Sequence, residues 1–458
     1  MTDQTAADIE PLDGCESWPP DQAAMRCPVD YFAQIRKHAP VYRYPEPSPE
    51  GVFTYLVTGF QECASVLTRA DMFVNDLTGV SPSFEANLEP SPLPGVPTFY
   101  EERNIFFADG ADHRVKRGWG LALFTAERLE SFRPLVEEEV DRLIDGFASD
   151  GHCDFRKQFT DRMPMHVVRQ IIGLGQDADP RIKRLSAALA AGAPDSTPVL
   201  AREQADELRA ASMDLLALCA RHVQQRHRHP VAGDYVSELV QGQVARDGAL
   251  DPNALAKHIM VTIFGADHAM GGHLADLAAR LARQPELQDR LRADRAFTRQ
   301  FTLETLRIEG PVPWLFRKCV ADASLGGFEL PAGSRVMVAT LAGNHDPAEF
   351  PDPKSFRIDR PNLERNQLSL GRGRHRCVGA PMARLQAEVT LNRMLDRLHE
   401  LRLDTDRSDL TPEPSFGFRV PRAVHLLFTP ERPVSIDQLR AGRAPRLDRP
   451  GHAPTAPR

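Results

Sequence analysis

Residues 368–384 read Leu-Ser-Leu-Gly-Arg-Gly-Arg-His-Arg-Cys-Val-Gly-Ala-Pro-Met-Ala-Arg, a glycine-rich segment with one cysteine that leads into a helix-forming run. Gly371 and Gly373 can adopt positive φ angles, so they allow the backbone to wrap tightly around a bound group. Cys377 lies just before the predicted helix, whose N-terminal N–H groups and positive dipole end favour a thiolate over a thiol. A thiolate in such a place is a good ligand for a soft metal ion, and the iron of haem accepts one.

The other cysteines do not indicate a second metal centre or a disulfide framework. They are Cys15, Cys27, Cys63, Cys153, Cys219 and Cys319. An odd total of seven, widely scattered and without a C-x-x-C pair, fits neither arrangement. We expect most of them to be small buried hydrophobic residues.

Length and composition are those of a folded globular protein. The chain has 458 residues and a net charge of −7, with 42% hydrophobic and 26% charged residues. The mild acidity argues against nucleic-acid binding as the primary function. No apolar run reaches the roughly 18 residues of a membrane span, and the polar N-terminus does not resemble a signal peptide. We therefore expect a cytoplasmic protein with no nucleic-acid and no membrane partner.

Hydrophobic periodicity predicts a mainly α protein with a smaller β part. Two aromatic and β-branched runs, 41–44 and 53–57, predict a β-hairpin. Helical spacing of apolar residues covers 129–147, and a long helix is predicted from Pro252, capped by Asp251, to about Arg283.

The domain boundaries follow from composition. We expect a single domain over residues 21–430, a loose N-terminus over 1–20 and a disordered Pro/Arg-rich tail over 431–458. Residues 76–100 are rich in Pro, Ser and Gly, which is typical of a lid, a binding loop or a disordered segment.

The cysteine segment resembles the haem-binding signature of the cytochrome P-450 family, the haem–thiolate monooxygenases, which usually reads Phe-Gly-x-Gly-x-His/Arg-x-Cys-x-Gly. The matching residues are Gly371, Gly373, His375, Cys377 and Gly379. The sequence departs at Leu370, where the family has Phe near the sulfur, and this change could shift the redox potential of the iron. The resemblance implies the cytochrome P-450 fold, with haem b between a long distal helix and the loop that carries Cys377, its iron ligand.

A second resemblance is Glu304-Thr305-Leu306-Arg307, which is similar to the family's Glu-x-x-Arg. In a helix the first and fourth residues of this motif share a face. The resemblance implies a third, cationic partner for the pair, here Arg360, and a structural role as a buried ion network. Taken alone, Glu-x-x-Arg also fits an ordinary solvated helix pair.

The two propionates of haem require cations and hydrogen-bond donors. The resemblance implies that His113, Arg117, Arg317 and His375 bind them. Any one of these residues taken singly could equally be an ordinary surface charge.

The predicted long helix departs from the family pattern where the oxygen-binding motif, Ala/Gly-Gly-x-Asp/Glu-Thr-Thr, is expected. The chain reads Phe264-Gly265-Ala266-Asp267-His268-Ala269, which keeps Gly265 and Asp267 but replaces the two threonines. The resemblance makes Asp267 and His268 the candidate catalytic residues.

Four roles are open for His268. Its pKa range suits proton donation at neutral pH in place of the threonine hydroxyl. It could instead bind substrate, or it could coordinate the iron as a sixth ligand and suppress oxygen chemistry. A register shift of one residue would turn it away from the haem altogether.

By analogy with the family, the substrate pocket is formed by the 76–105 loop and by Phe264, Gly265, Val312, Trp314 and Phe418. These residues are mostly apolar or aromatic, which indicates a mid-sized lipophilic or aromatic small molecule. Trp314 and Phe418 could equally be core residues. The leading prediction is an oxidoreductase, a monooxygenase or a related oxidative tailoring enzyme of bacterial secondary metabolism.

The chain has no segment for a flavin or iron–sulfur domain, so electrons are expected from a separate ferredoxin or flavodoxin and its reductase. Such an acidic partner should be attracted by a basic patch. The patch is expected to consist of Arg114, Lys116, Arg372, Arg374 and Arg376. These side chains could instead serve haem or local carboxylates. Two other functions remain open: a haem-binding accessory or ligand-binding protein that has lost oxygen activation, and a peroxide-driven enzyme.

Overall fold

The computed structural model describes residues 28–47, 51–80, 104–191, 202–413 and 417–430. The predictions for 1–20, for 431–458 and for most of the 76–100 loop fall outside these residues. Within the described parts, no helix combines the length and apolar composition that a membrane span requires.

Helices dominate the described chain, as the periodicity predicts. In chain order they are α1 (Pro28–His38), α2 (Phe60–Thr68), α3 (Gly110–Leu123), α4 (Ala126–Asp145), α5 (Met163–Ile172), α6 (Asp179–Ala191), α7 (Arg202–Arg228), α8 (Tyr235–Asp247), α9 (Pro252–Ala282), α10 (Pro285–Ala293), α11 (Thr298–Glu309), α12 (Thr340–Asn344), α13 (Leu363–Asn366) and α14 (Ala380–Arg397). A π-helical turn covers Arg156–Thr160, and short 3-10 turns cover Gln176–Ala178, Arg295–Phe297 and Gly373–His375.

The β part is small. Its strands are β1 (Val41–Arg43), β2 (Thr54–Val57), β3 (Phe73–Val74), β4 (His152–Asp154), β5 (Leu315–Cys319), β6 (Ala323–Leu325), β7 (Phe328–Leu330), β8 (Arg335–Val338), β9 (His399–Leu403), β10 (Asp409–Pro412), β11 (Pro421–Ala423) and β12 (His425–Thr429). The largest sheet has the strand order β1-β2-β8-β5-β3, and a second one has the order β4-β12-β9. The predicted hairpin is confirmed, since β1 pairs with β2 in the antiparallel sense and Val41 lies opposite Val57.

The predicted long helix is α9. The Asp251 carboxylate accepts hydrogen bonds from the N–H groups of Asn253 and Ala254, and Pro252 occupies the first turn, where its missing N–H costs nothing. The helix runs for 31 residues to Ala282, which corresponds to roughly 46 Å.

Two hydrophobic clusters hold α9, one at each end. Its N-terminal half packs with α5, α7 and α8, and its C-terminal half packs with α4 and α14. The clusters include α9 residues up to Ile263 and from Met270 onward. The stretch between them, residues 264–269, is only partly buried or exposed.

A buried ion network joins α11 to the segment before the cysteine loop. Arg307 donates to the Glu304 carboxylate at 2.8 and 2.7 Å, and Arg360 donates to it at 2.9 Å. The backbone N–H of Arg357 also donates to Glu304, at 3.0 Å. Glu304 and Arg307 are fully buried, and Arg360 is buried as well. The predicted third partner of the Glu-x-x-Arg motif is therefore confirmed.

Candidate active site

The cysteine loop is a tight turn that depends on its two glycines. Gly371 and Gly373 have φ angles of 69° and 67°, in the left-handed region that favours glycine. A Cβ atom on Gly373 would lie 2.5 Å from the carbonyl oxygen of Leu67 at the end of α2. The Cys377 N–H donates to the Leu370 carbonyl at 2.8 Å and closes the turn. The loop is thus fixed against α2.

Cys377 presents its sulfur at the N-terminal end of α14. The side chain is exposed toward a cavity and enclosed by protein elsewhere. Burial raises the pKa of the Cys377 thiol, and backbone N–H groups of Gly379 and Ala380 only partly offset the rise. This differs from the expectation that the helix end alone favours a thiolate. The reason is that desolvation disfavours the anion more than two N–H groups stabilise it, so a cation facing the sulfur is needed to hold the thiolate.

The cavity lies between the cysteine loop and α9. Its volume is about 480 Å³, within the usual range for small-molecule sites. From α9 it is lined by Thr262, Gly265, Ala266, Ala269, Met270 and His273, among others, and from the loop by Leu370, Gly371, Cys377 and Gly379. The four residues predicted to bind propionates also line it. One cavity therefore unites the candidate metal ligand with the candidate cofactor-binding residues.

His113, Arg117, Arg317 and His375 form one basic wall of the cavity. The rings of His113 and His375 are in contact but tilted, with centroids 3.9 Å apart and an angle of 34° between their planes. His113 is buried, and its Nε2 atom has no hydrogen-bond partner among the described residues. Arg317 is also buried and donates to the carbonyl of its neighbour Phe316. A buried polar atom without a partner and a buried cation beside it are what an anionic group of a cofactor would satisfy, so these residues fit the propionates of haem.

The electrostatics of this wall indicate a deficit of negative charge. Burial, together with the neighbouring His375 and Arg117, lowers the pKa of His113 to about 4. Burial lowers the pKa of Arg317 to about 10, although Asp109 opposes the shift. Added carboxylates would oppose these shifts, because they stabilise the protonated forms.

Two residues beside the basic wall, Asn75 and Asp109, were not predicted from the sequence. Asn75 Nδ2 lies 3.0 Å from Nδ1 of His375, and a carboxylate oxygen of Asp109 lies 3.4 Å from its Nε2. Although burial raises the pKa of Asp109, hydrogen bonds from His375 and from the N–H groups of Asn75 and Asp76 hold it below its usual range. Asp109 precedes α3, four residues before His113, and this spacing could have revealed it. Asn75 carries no local signal.

The structure does not bring the two candidate catalytic residues to the cavity. Asp267 and His268 are absent from the residues that line it, whereas Ala266 and Ala269 line it. With 3.6 residues per turn, positions 262, 266, 269 and 273 share one face of α9, and positions 267 and 268 are turned away from that face. Asp267 is close enough to Asp161 to help raise the pKa of that carboxyl, behind the larger effect of burial. Of the four open roles of His268, this placement corresponds to the register shift, and its catalytic role stays a prediction.

His268 instead packs against aromatic residues. Its ring centroid lies 5.4 Å from that of Phe418 and 6.5 Å from that of Phe264. The rings of Phe264 and Phe418 are 5.7 Å apart, and Phe106 lies 6.4 Å from Phe264. We call these three phenylalanines the aromatic wall, since all three line the cavity. His268 therefore contacts the cavity wall from behind.

The predicted substrate-pocket residues Phe264, Gly265, Val312, Trp314 and Phe418 all line the cavity. Trp314 is nevertheless largely buried, at 5% exposure. Of the 76–105 loop, the described residues Leu77 and Ile105 line the cavity too.

The predicted basic patch is partly neutralised. Arg374 forms an ion pair with Asp71 at 2.6 Å, and Lys116 forms one with Asp112 at 2.7 Å. Arg372 stacks on Phe60. Arg114 and Arg376 are exposed. Local carboxylates therefore account for two of the five cations.

Comparisons with known proteins agree with this geometry. The family described as Cytochrome P450 matches residues 274–427. Cytochrome P450 144 of Mycobacterium tuberculosis is 31% identical over 348 residues, which is 75% of this chain and 77% of that protein. The 6-deoxyerythronolide B hydroxylase of Saccharopolyspora erythraea is 27% identical over 400 residues, 85% of this chain and 94% of that protein.

Solved structures show the same fold. The crystal structure of CalO2 superposes with a TM-score of 0.78 at 22% identity, covering 91% of this chain and 99% of that one. The structure of P450BioI in complex with an acyl carrier protein has a TM-score of 0.77 at 24% identity, covering 89% and 100%. The predicted mainly α fold is thus confirmed. The cysteine loop faces a cavity with a basic wall, and a cytochrome P450 that is 31% identical covers three quarters of the chain, so the chain belongs to the cytochrome P450 family.

Proposed function

We propose that this protein is a haem b monooxygenase of bacterial secondary metabolism that oxidises a mid-sized lipophilic or aromatic small molecule. The observation that carries the proposal is the position of Cys377, whose sulfur faces the same cavity as the basic wall and the aromatic wall. The basic wall suits the negatively charged propionates of haem, and the aromatic wall suits an apolar ligand.

In this proposal Cys377 holds the iron, and His113, Arg117, Arg317 and His375 hold the propionates. Gly371 and Gly379 let the loop approach the cofactor. When bound, haem supplies an iron centre for oxygen chemistry, with electron density donated by the thiolate. Asn75 and Asp109 orient the His375 ring through the contacts at 3.0 and 3.4 Å.

The substrate is expected to pack against the aromatic wall. Phe106, Phe264 and Phe418 offer ring faces and edges to an apolar or aromatic ligand, and the short side chains of Gly265, Ala266 and Ala269 leave room for it. Two relatives support an oxidation of this kind, since they are named 6-deoxyerythronolide B hydroxylase and mycinamicin IV hydroxylase/epoxidase.

His268 is then a positioning residue that acts through Phe418 and Phe264. Its contacts with these rings would fix the aromatic wall, so a substitution there changes substrate affinity and product distribution. Asp267 interacts unfavourably with Asp161, because both side chains are carboxylates, and its catalytic role stays a prediction.

Electrons are proposed to come from a separate cytoplasmic ferredoxin or flavodoxin and its reductase. The exposed Arg114 and Arg376 support this, because they leave positive charge on the face that carries the cysteine loop. Turnover should accordingly slow as ionic strength rises.

A peroxide-driven enzyme is the second candidate, favoured by the cavity face of α9. Among its described residues this face carries a single hydroxyl, that of Thr262, and Thr262 Oγ1 already donates to the His258 carbonyl at 2.9 Å. Among the described residues, this face therefore has no uncommitted hydroxyl to deliver a proton for oxygen activation.

The test begins with the carbon-monoxide difference spectrum of the reduced, haem-loaded protein, with Cys377→Ser as the variant. We expect a thiolate-type spectrum that the variant loses. Compounds of graded size are then titrated by their effect on the ferric spectrum, and product formation with a ferredoxin and reductase is compared with that in hydrogen peroxide alone. A colourless protein, or an unchanged spectrum in Cys377→Ser, would refute the proposal. Product formation with peroxide alone would favour the second candidate.

A further inference from the structure

The turn that carries Phe418 is tied to the segment that carries Val312. The backbone N–H of Arg419 donates to the Pro311 carbonyl at 2.9 Å, and the Arg419 guanidinium donates to the carbonyl of Glu309 at the end of α11. Phe418 and Val312 are the chain neighbours of Arg419 and Pro311, and both line the cavity. The two cavity-lining side chains are therefore linked through Arg419, which is not itself among the described residues that line the cavity.

The segment 311–314 is in turn fixed to α12. Thr340 Oγ1 donates to the Val312 carbonyl at 3.1 Å, and the N–H of Leu341 donates to the Pro313 carbonyl at 3.0 Å. Thr340 and Leu341 are buried. Hydrogen bonds from buried donors are costly to break, because the donors would be left without partners. The segment is therefore a firm support for the turn.

The carbonyl that accepts from the Arg419 guanidinium is also held in place. Glu309 is the last residue of α11, so its carbonyl has no partner within the helix. A cationic donor at a helix C-terminus is favourable, since it satisfies this carbonyl and meets the negative end of the helix dipole. The Glu309 carboxylate forms an ion pair with Arg280 on α9. Arg419 therefore joins the turn to the junction of α11 and α9.

A second support for the turn is Gly272 on α9. A Cβ atom at this position would lie 2.9 Å from the carbonyl oxygen of Arg419 and 3.2 Å from Cγ2 of Val420. Glycine inside a helix is destabilising relative to alanine, and a close approach of another backbone is a reason for its presence. The backbone of the turn therefore packs directly on the backbone of α9.

We propose that Arg419 and Gly272 are positioning residues that hold Phe418 at a fixed distance from Val312 and so limit the width of the ligand that the cavity admits. The effect on ligands rests on the proposed function, whereas the distance itself depends only on the protein. Without its guanidinium, Arg419 keeps only the backbone hydrogen bond to Pro311, and the turn can move outward. A methyl group at position 272 would push the turn by about 0.5 Å, the shift that restores ordinary van der Waals contact.

The first test is crystallographic and uses the full-length protein as purified. The distance between the Phe418 ring and the Val312 side chain is compared in the wild type, in Arg419→Met and in Gly272→Ala. We expect it to grow by about 0.5 Å or more in both variants. An unchanged distance in either variant would overturn the proposal.

Each variant has a matched control. Arg422→Met removes an exposed guanidinium from β11, two strand positions beyond Val420, where Arg422 forms an ion pair with Asp409 at 3.7 Å. Gly242→Ala adds a methyl group to an exposed glycine of α8 that has open space around it. We expect both controls to keep the wild-type distance. If Arg419→Met does not fold, Arg419→Gln replaces it, with the same expected result.

The second test measures the ligand selectivity of the haem-loaded protein by spectral titration with imidazole and with 4-phenylimidazole. Imidazole needs little room beyond the iron, whereas the phenyl ring of the larger probe must pack in the cavity. The loss of one aromatic contact should raise the ratio of the two dissociation constants, larger probe over smaller, about threefold to tenfold in Arg419→Met and Gly272→Ala. A merely structural defect would weaken both probes alike, and an unchanged ratio in either variant would overturn the proposal.

The positioning role and the proposed function can fail separately. An unchanged distance in a protein with a thiolate-type spectrum overturns the positioning role alone. A changed distance in a protein without that spectrum supports the positioning role and overturns the proposed function.

Discussion

Substitution of Glu304 by Gln should sharply destabilise the protein. The Glu304 carboxylate is fully buried and accepts three side-chain hydrogen bonds from Arg307 and Arg360, at 2.7–2.9 Å. The substitution keeps the shape of the side chain but removes its charge. Two buried guanidinium groups would then face a neutral amide, and one amide N–H₂ would point at a donor.

The size of the destabilisation follows from leaving two buried guanidinium charges without their counter-charge. Removing one partner of a buried ion pair typically costs 3–5 kcal/mol, because a charge remains buried without its counter-charge. Some compensation remains, since Arg307 also donates to the Asn344 carbonyl at 2.7 Å and Arg360 to the Pro351 carbonyl at 2.6 Å. We therefore expect a loss of about 3–4 kcal/mol in the free energy of unfolding.

The assay is denaturant unfolding followed by circular dichroism, with Glu207→Gln as the control. Glu207 accepts two hydrogen bonds from Arg184, at 2.6 and 2.8 Å, but this pair is on the surface. We expect a large fall in the midpoint for Glu304→Gln and almost none for Glu207→Gln. Equal effects of the two substitutions would refute the argument that burial makes the difference.

Three further predictions concern the cysteine loop, the stability of the protein at acidic pH and His268 on α9. Gly373→Ala should reduce haem uptake, since its Cβ would lie 2.5 Å from a backbone oxygen. The control is Gly233→Ala, which is also at positive φ but in open space and should leave haem uptake unchanged. Haem content is measured by absorbance. Burial lowers the pKa of His258 and of His345 to about 4, below the unfolded value near 6.5. Between these values the unfolded state binds more protons than the folded state. The free energy of unfolding should therefore fall as the pH drops from about 6.5 to 4. A denaturation midpoint that stays flat over this range would contradict the assignment. His268→Ala should weaken substrate binding in spectral titrations without changing haem content, and unchanged affinity would show that the residue does not support the aromatic wall.

The sequence predicts those parts of the site that local chain chemistry determines. The turn at Gly371 and Gly373 needs positive φ angles, so glycine at these positions is readable as a motif. Asp251 and Pro252 mark the start of α9 in the same way. The ion partner Arg360 followed from the family resemblance and could not be deduced from the spacing to Glu304 alone.

The features of the site that cannot be predicted from the sequence depend on how helices and loops pack. The rotation of α9 about its axis is set by the clusters at its two ends, and a rotation of one residue decides whether His268 or Ala269 faces the cavity. Asn75 meets His375 across 300 positions of the chain.

The anchoring of α9 at its two ends has an evolutionary consequence. Because separate clusters of buried residues secure the helix on either side, residues 264–269 contribute less to its anchoring than its two ends, although Phe264 and Ala266 pack partly against one cluster. Changes in side-chain size at Ala266 or Ala269 would reshape the ligand space at small cost in folding. Diversification toward new substrates should therefore concentrate in this short stretch, and a library restricted to it is an economical route to altered selectivity.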